Sequence, residues 1–162
     1  MTALRIDVAD LLARPAARRE VRLSAVVEGL AGSAAGVSGP VGLDLVLERV
    51  SDGLVVRGTL TTAWSAQCSV CLADLGAPLS LAVGELFEPE PLEGDTYPID
   101  GHQIDLDQLV RDAILLELPL APTCADTGAP PCAVASEPPA PGPRADPEPA
   151  DPRWAALSEL EL

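Results

Sequence analysis

Alternating apolar and polar positions predict several β-strands in the first two thirds of the chain. Residues 21–28 place Val21, Leu23, Ala25 and Val27 on one side of a half-buried strand that ends at Gly29. Residues 41–48 and 54–65 repeat this period, and residues 79–87 form another alternating run. Because consecutive strands usually pair, the pattern predicts an antiparallel β-meander.

Asp52-Gly53 predicts the turn of a hairpin between the second and third of these strands. A two-residue turn at this point would place Leu45 opposite Leu60 and Glu48 opposite Arg57. This register matches apolar with apolar and charge with opposite charge.

Two segments read as loops. Residues 31–39 are mostly Gly, Ala and Ser, and residues 85–107 contain eight acids and neither Lys nor Arg, with prolines between them. Residues 6–13 are ambiguous, because they suit a short turn or a helical start that docks on the domain.

A helix is predicted over residues 106–118, with Asp105 and Gln108 as a capping box and Asp107 paired with Arg111. Its apolar residues cover more than one face, and they include Leu115 and Leu116. We therefore expect this helix to be buried on two sides.

The predicted fold class is α+β, an antiparallel meander packed by one main helix. Residues 1–132 form the domain, and residues 133–150 are a disordered linker rich in Pro, Ala and acids. Residues 151–162 are expected to form a short helix that carries Trp154, Leu157 and Leu160 on one side.

The charge and the aromatic content of the chain limit the classes of molecule that it is expected to bind. Acids outnumber bases 25 to 10, the net charge is -15, and aromatic residues make up 2% of the chain. The chain therefore has few cationic residues to bind phosphates and few aromatic residues to stack on bases, so DNA and naked RNA are weaker partners than a basic protein. The local exception is the group Arg14, Arg18, Arg19 and Arg22, which suits either a phosphate or the protein's own acids. With no signal-like or membrane-length apolar run, a cytoplasmic location is expected.

The residues do not predict an enzyme. His102 has no Ser or Cys at a nucleophile spacing, the carboxylates lie in exposed runs, and the Gly-rich residues 29–42 lack the Lys of a phosphate-binding loop.

The strongest local motif is Cys68-Ser69-Val70-Cys71, in the connection between two strands. Two thiols at this spacing can face one tetrahedral metal, and Cys124 and Cys132 are the available second pair for a zinc site. Two alternatives stay open. The cysteines could be plain buried or loop residues, or Cys68 and Cys71 could be a redox pair, although no helix is expected to follow them.

The ordered set of these segments resembles the YceD family, the large ribosomal RNA subunit accumulation proteins. The resemblance rests on the runs at residues 64–72, 87–89, 104–112 and 116–124, on Ile6-Asp7-Val8 at the start, and on the ending 151–157, which is similar to the actinobacterial branch. It implies a role in the synthesis, processing or stability of 23S ribosomal RNA, with no established enzymatic activity. Many relatives carry a fuller cysteine cluster near the C-terminus, of which Cys124 and Cys132 are what this chain retains.

Taken together, the sequence predicts a non-catalytic factor for assembly of the large ribosomal subunit. Its partner would be a basic large-subunit ribosomal protein or an assembly factor, and its association with 23S rRNA would be indirect. The alternative is a zinc- or thiol-containing sensor or binding module.

Overall fold

The computed structural model describes residues 4–132. The predicted linker at residues 133–150 and the predicted helix at residues 151–162 lie outside the described residues. Among the described residues, no helix is long and apolar enough to cross a membrane.

The described chain is mostly strand, with few helices, which suits the predicted α+β class. The elements are β1 (Arg5–Asp7), α1 (Ala9–Leu12), β2 (Arg18–Val26), β3 (Ala35–Val37), β4 (Pro40–Arg49), β5 (Leu54–Gln67), β6 (Asp74–Glu88), β7 (Tyr97–Asp100), β8 (Gln103–Asp105), α2 (Asp107–Glu117) and a 3₁₀ turn (Cys124–Thr127). One sheet has the order β1-β8-β7-β6-β5-β4-β2, and β3 also pairs with β5.

The antiparallel meander is only partly correct. Strands β4, β5 and β6 follow it, but β6 and β7 are parallel, so the sheet is mixed. Pro89 and Pro91 cannot donate ladder hydrogen bonds, and the chain leaves the sheet after Glu88 and re-enters it in the same direction. At this junction the rings of Phe87 and Tyr97 stack with their centroids 5.2 Å apart.

The hairpin register differs from the predicted one by two residues. Leu43 pairs with Leu60 and Leu45 with Gly58, and a four-residue loop joins Arg49 to Leu54. The Val50 amide and the Arg49 guanidinium both donate to the Gly53 carbonyl, which favours this longer loop. Because side chains alternate with a period of two, the shift leaves every residue on its predicted face.

Both predicted loops contain strands. β3 lies within residues 31–39, and β7 and β8 lie within residues 85–107, where Ile99 and Ile104 pair and are buried. These strands have three or four residues, too few to show a period in the sequence. Acids such as Asp100 remain exposed, so the segment is acidic at its surface but is not a loop throughout.

The N-terminal segment packs on the core, and two arginines of the predicted group form ion pairs. Residues 6–13 form the end of β1 and all of α1, and Leu11 of α1 is buried. The guanidinium of Arg19 lies 3.0 Å from the Asp10 carboxylate, and that of Arg22 lies 3.0 Å from Asp44. These two arginines therefore pair with the protein's own acids.

Helix α2 supports the core with one face only. Leu109, Val110 and Ile114 are buried, whereas Leu116 is 87% exposed, so the expectation of burial on two sides is wrong. The predicted capping box does not form. The Asp105 carboxylate instead accepts from the Asp107 amide at 3.0 Å, one residue early, while the Arg111 to Asp107 pair forms at 2.6 Å.

Candidate metal centre

The first cysteine pair lies at the tip of the longest hairpin in the described chain. β5 and β6 pair without interruption from Leu54 opposite Phe87 to Gln67 opposite Asp74, so residues 68–73 form the turn. The Cys68 amide donates to the Ala73 carbonyl at 2.8 Å, and the Leu72 amide donates to the Cys68 carbonyl at 3.0 Å. The sheet thus holds this turn at the end of two long paired strands.

The turn directs backbone N–H groups at one sulfur. The amides of Val70 and Cys71 lie 3.4 and 3.5 Å from the buried Cys68 Sγ. The amide of Cys71 and then that of Val70 lower the pKa of the Cys68 thiol to about 6. The geometry therefore stabilises a thiolate, the form of cysteine that binds metals.

The second pair comes from the segment after α2. The Ser69 amide donates to the Pro122 carbonyl at 2.7 Å, which ties this segment to the hairpin tip. Thr123 and Asp126 then form a reciprocal capping box at the 3₁₀ turn that carries Cys124. The left-handed residue Gly128, with φ 76°, ends the turn before the chain reaches Cys132.

All four cysteines meet at one point, with their sulfur atoms within 4.8 Å of one another. Cys68 Sγ lies 3.4 Å from Cys132 Sγ, and Cys71 Sγ lies 3.5 Å from Cys124 Sγ. Four thiolates bound to Zn²⁺ at 2.3 Å in a tetrahedron would be about 3.8 Å apart. The cluster therefore has the size and the donor set that a four-thiolate zinc site needs.

Hydrogen bonds among the sulfur atoms favour the protonated form of two other thiols, Cys124 and Cys132. Hydrogen bonds from Cys132 and Cys71 raise the pKa of Cys124 to about 12, and the hydrogen bond with Cys68 raises the pKa of Cys132. These contacts thus favour a thiolate at Cys68 beside protonated thiols at Cys124 and Cys132. Binding of a divalent metal would displace the remaining protons, so its affinity would rise with pH.

The elements that flank Cys68 and Cys71 differ from those of a thioredoxin-like redox motif. Those motifs begin a helix after a parallel strand, whereas here both flanking strands are antiparallel. All four cysteines are free thiols, and the shortest sulfur contacts join Cys68 to Cys132 and Cys71 to Cys124.

The remaining sequence candidate is His102, whose hydrogen bond in the described chain is made by its backbone. It lies exposed in the β7–β8 turn, where its carbonyl accepts from the Val8 amide at 2.8 Å. No cysteine of the cluster is among its hydrogen-bond partners in the described chain.

Sequence reasoning missed a second polar site at Tyr97. Its hydroxyl donates to the Asp112 carboxylate at 3.0 Å beside Glu85, in an open pocket of about 340 Å³. Burial, then Asp112 and Glu85, raise the pKa of Tyr97 to about 12. The signal was faint, because Tyr97 and Asp112 lie in separate elements and neither belongs to a motif.

Comparison with known proteins identifies relatives. The family model described as large ribosomal RNA subunit accumulation protein YceD matches residues 56–161, a range that contains the four cysteines. Uncharacterized proteins of Mycobacterium bovis and Mycobacterium tuberculosis are 33% identical over 96% of this chain and 80% of their own length. One of Mycobacterium leprae is 32% identical over 75% of this chain and 59% of its own length. No solved structure matches.

Proposed function

We propose a function for this chain from its family, since it belongs to the YceD family. It is a non-catalytic factor that supports accumulation of 23S rRNA and assembly of the large ribosomal subunit. The family match over residues 56–161 is the observation that supports this proposal most directly. The test is deletion of the gene followed by sucrose-gradient profiles. We expect fewer large subunits relative to small ones, restored by a plasmid copy, and unchanged profiles in slow and fast growth would contradict the proposal.

The charge of the chain favours action through protein partners in the cytoplasm. The net charge is -15, and the arginines that lie on the sheet near the N-terminus include two already paired with acids, Arg19 and Arg22. Ribosomal proteins are basic, so a negative field attracts them and repels naked RNA. The protein would therefore bind a basic large-subunit protein or assembly factor and reach 23S rRNA indirectly.

Cys68, Cys71, Cys124 and Cys132 would hold one zinc ion as a structural cross-link. Four thiolates fill a tetrahedral site and leave no open position for a substrate, as in structural rather than catalytic zinc sites. The amides directed at Cys68 Sγ are the outer hydrogen bonds that such a site uses. Protein purified without chelator should contain one zinc per chain, and Cys124→Ser should lower this content, with Ser69→Ala as the control.

The cysteine cluster also favours a second candidate, a zinc or thiol sensor. The two readings differ in what regulates the protein. For a sensor, mild oxidant or zinc limitation would change the ribosome profile of cells carrying the wild-type chain and leave that of cells carrying Cys124→Ser unchanged. For a structural site, profiles would follow protein abundance alone.

A further inference from the structure

Most of the exposed large apolar side chains lie in two segments that carry or precede cysteines of the cluster. Within the described residues, seven large apolar side chains are exposed. Five of them belong to the hairpin tip or to the segment between the end of α2 and the cluster: Val70, Leu72, Leu115, Leu116 and Leu120. Single exposed apolar residues are ordinary, but a local group of them marks an interaction surface.

The hydrogen bond from the Ser69 amide to the Pro122 carbonyl joins these two segments. Val70, 41% exposed, and Leu72, 70% exposed, lie within three residues of that bond, and Leu120, 83% exposed, is two residues from Pro122. Two residues of chain span at most about 7 Å. We call Val70, Leu72 and Leu120 the knuckle patch; Leu116 precedes it at the end of α2.

Leu72 is an unusual residue for its backbone conformation. Its φ is +63°, in the left-handed region, where a branched apolar side chain costs roughly 1–2 kcal/mol that Gly or Asn largely avoids. Its side chain is mostly exposed, so packing within the described chain does not offset this cost. Leu at this position is easier to understand if the side chain contacts another molecule.

We propose that the knuckle patch binds a basic, amphipathic segment of a large-subunit ribosomal protein, with apolar side chains on the patch and Lys or Arg at its rim. Residues 68–74 and 115–132 contain three acids, Asp74, Glu117 and Asp126, and neither Lys nor Arg. A two-fold contact with a second copy would bring like surfaces and their acids together. The charge therefore favours a basic partner, and the proposal rests on the proposed function.

The test compares two Leu→Asn variants of the full chain. Leu72→Asn removes the apolar side chain and suits the left-handed backbone, so it should melt at or above the wild-type temperature. Leu92→Asn is the matched control, because Leu92 is 62% exposed but lies outside the knuckle patch. The probe is the protein mixture extracted from purified large subunits; the captured component is identified, purified and titrated against each variant.

We expect Leu72→Asn to weaken binding about tenfold or more, equivalent to about 1.4 kcal/mol, and Leu92→Asn to leave it unchanged. Equal binding by Leu72→Asn and the wild type would overturn the proposal, as would equal losses in both variants. A dimer in sedimentation that Leu72→Asn abolishes would also overturn it, in favour of a second copy.

The same variants separate this proposal from the proposed function. In the deletion strain, Leu72→Asn should restore large subunits less well than Leu92→Asn at equal protein level. A normal profile in the deletion strain sinks the proposed function whatever the binding result. A deficit that Leu72→Asn repairs as fully as the wild type does would sink the knuckle-patch proposal alone.

Discussion

Gly58→Ala should destabilise the protein strongly, because the backbone of β4 leaves no room for a side chain at Gly58 of β5. Its φ is +156°, and a Cβ atom would lie 2.0 Å from the Asp44 carbonyl oxygen and 2.8 Å from the Leu45 Cα. Both obstacles are backbone atoms, so the strands themselves would have to separate. Overpacking of this kind costs about 1–3 kcal/mol or more, and the backbone conformation adds about 1–2. We expect a total loss of roughly 2–5 kcal/mol in the free energy of unfolding.

Gly84→Ala provides the matched control. Gly84 lies opposite Arg57 on β6, and its added Cβ would meet the Arg57 side chain at an ordinary 4.0 Å. Thermal unfolding by circular dichroism should place Gly58→Ala about 6–15 °C below the wild type and Gly84→Ala within about 2 °C of it. If the two variants melt within 3 °C of each other (roughly 1 kcal/mol or less), the pairing of Gly58 with Leu45 is wrong.

Three other predictions concern charge and the cysteine cluster. Removal of zinc by a chelator should make all four thiols reactive and let the amides of residues 68–73 exchange with solvent. The far-UV circular dichroism of the sheet should stay unchanged, because the buried core lies outside the cluster. Loss of the whole spectrum would contradict this. Tyr97 is the one tyrosine in the chain, so absorbance at 295 nm should give its pKa directly, about 12 instead of 10, and Asp112→Asn should lower it. The pKa of Tyr97 is higher in the folded than in the unfolded chain, so the protonated hydroxyl contributes to stability. This contribution is complete below pH 10 and is lost as pH rises towards 12. In salt series, naked 23S rRNA should show no measurable binding at physiological salt, whereas a basic large-subunit protein should bind less tightly as salt rises; micromolar binding of the RNA that Arg14, Arg18, Arg19 and Arg22 to Ala abolishes would refute this.

The faces of the hairpin strands could be predicted, but their register could not. Leu45 and Leu60 are both fully buried as expected, because alternation depends only on whether a position is odd or even. The register also depends on the loop, where the Arg49 side chain binds the Gly53 carbonyl. A contact between a side chain and a turn carbonyl leaves no periodic signal in the sequence.

The sequence also failed to predict short elements and those that depend on contacts with distant parts of the chain. β7 and β8 each have three or four residues and are stabilised by pairing with each other and with β6 and β1. The two-sided burial expected of α2 failed for a related reason. The sequence shows that Leu116 is apolar but not whether another element covers it.

The sequence offered the four-cysteine zinc site as one of three alternatives, because the spacing of Cys68 and Cys71 suits a metal and Cys124 and Cys132 were the available partners. The spacing between Cys124 and Cys132 argued against it, because structural zinc sites usually use closer pairs. In the structure the four sulfur atoms lie together despite this spacing. The capped 3₁₀ turn and left-handed Gly128 use the intervening residues to return the chain to the cluster.

A metal bound by the four cysteines would have a role that a local cross-link would not have. Cys68 and Cys132 are 64 positions apart, and Cys71 and Cys124 are 53 positions apart, so a metal would join the tip of the β5–β6 hairpin to the segment after α2. Closing loops of this length removes much conformational entropy from the unlinked chain. It would also hold Leu72 and Leu120, which belong to different segments, on one surface. Metal removal should therefore weaken partner binding even where the sheet stays folded, and Leu72→Asn should weaken it with the metal in place. Equal affinities of the metal-free and metal-bound chain for the same partner would show that the cluster does not organise this surface.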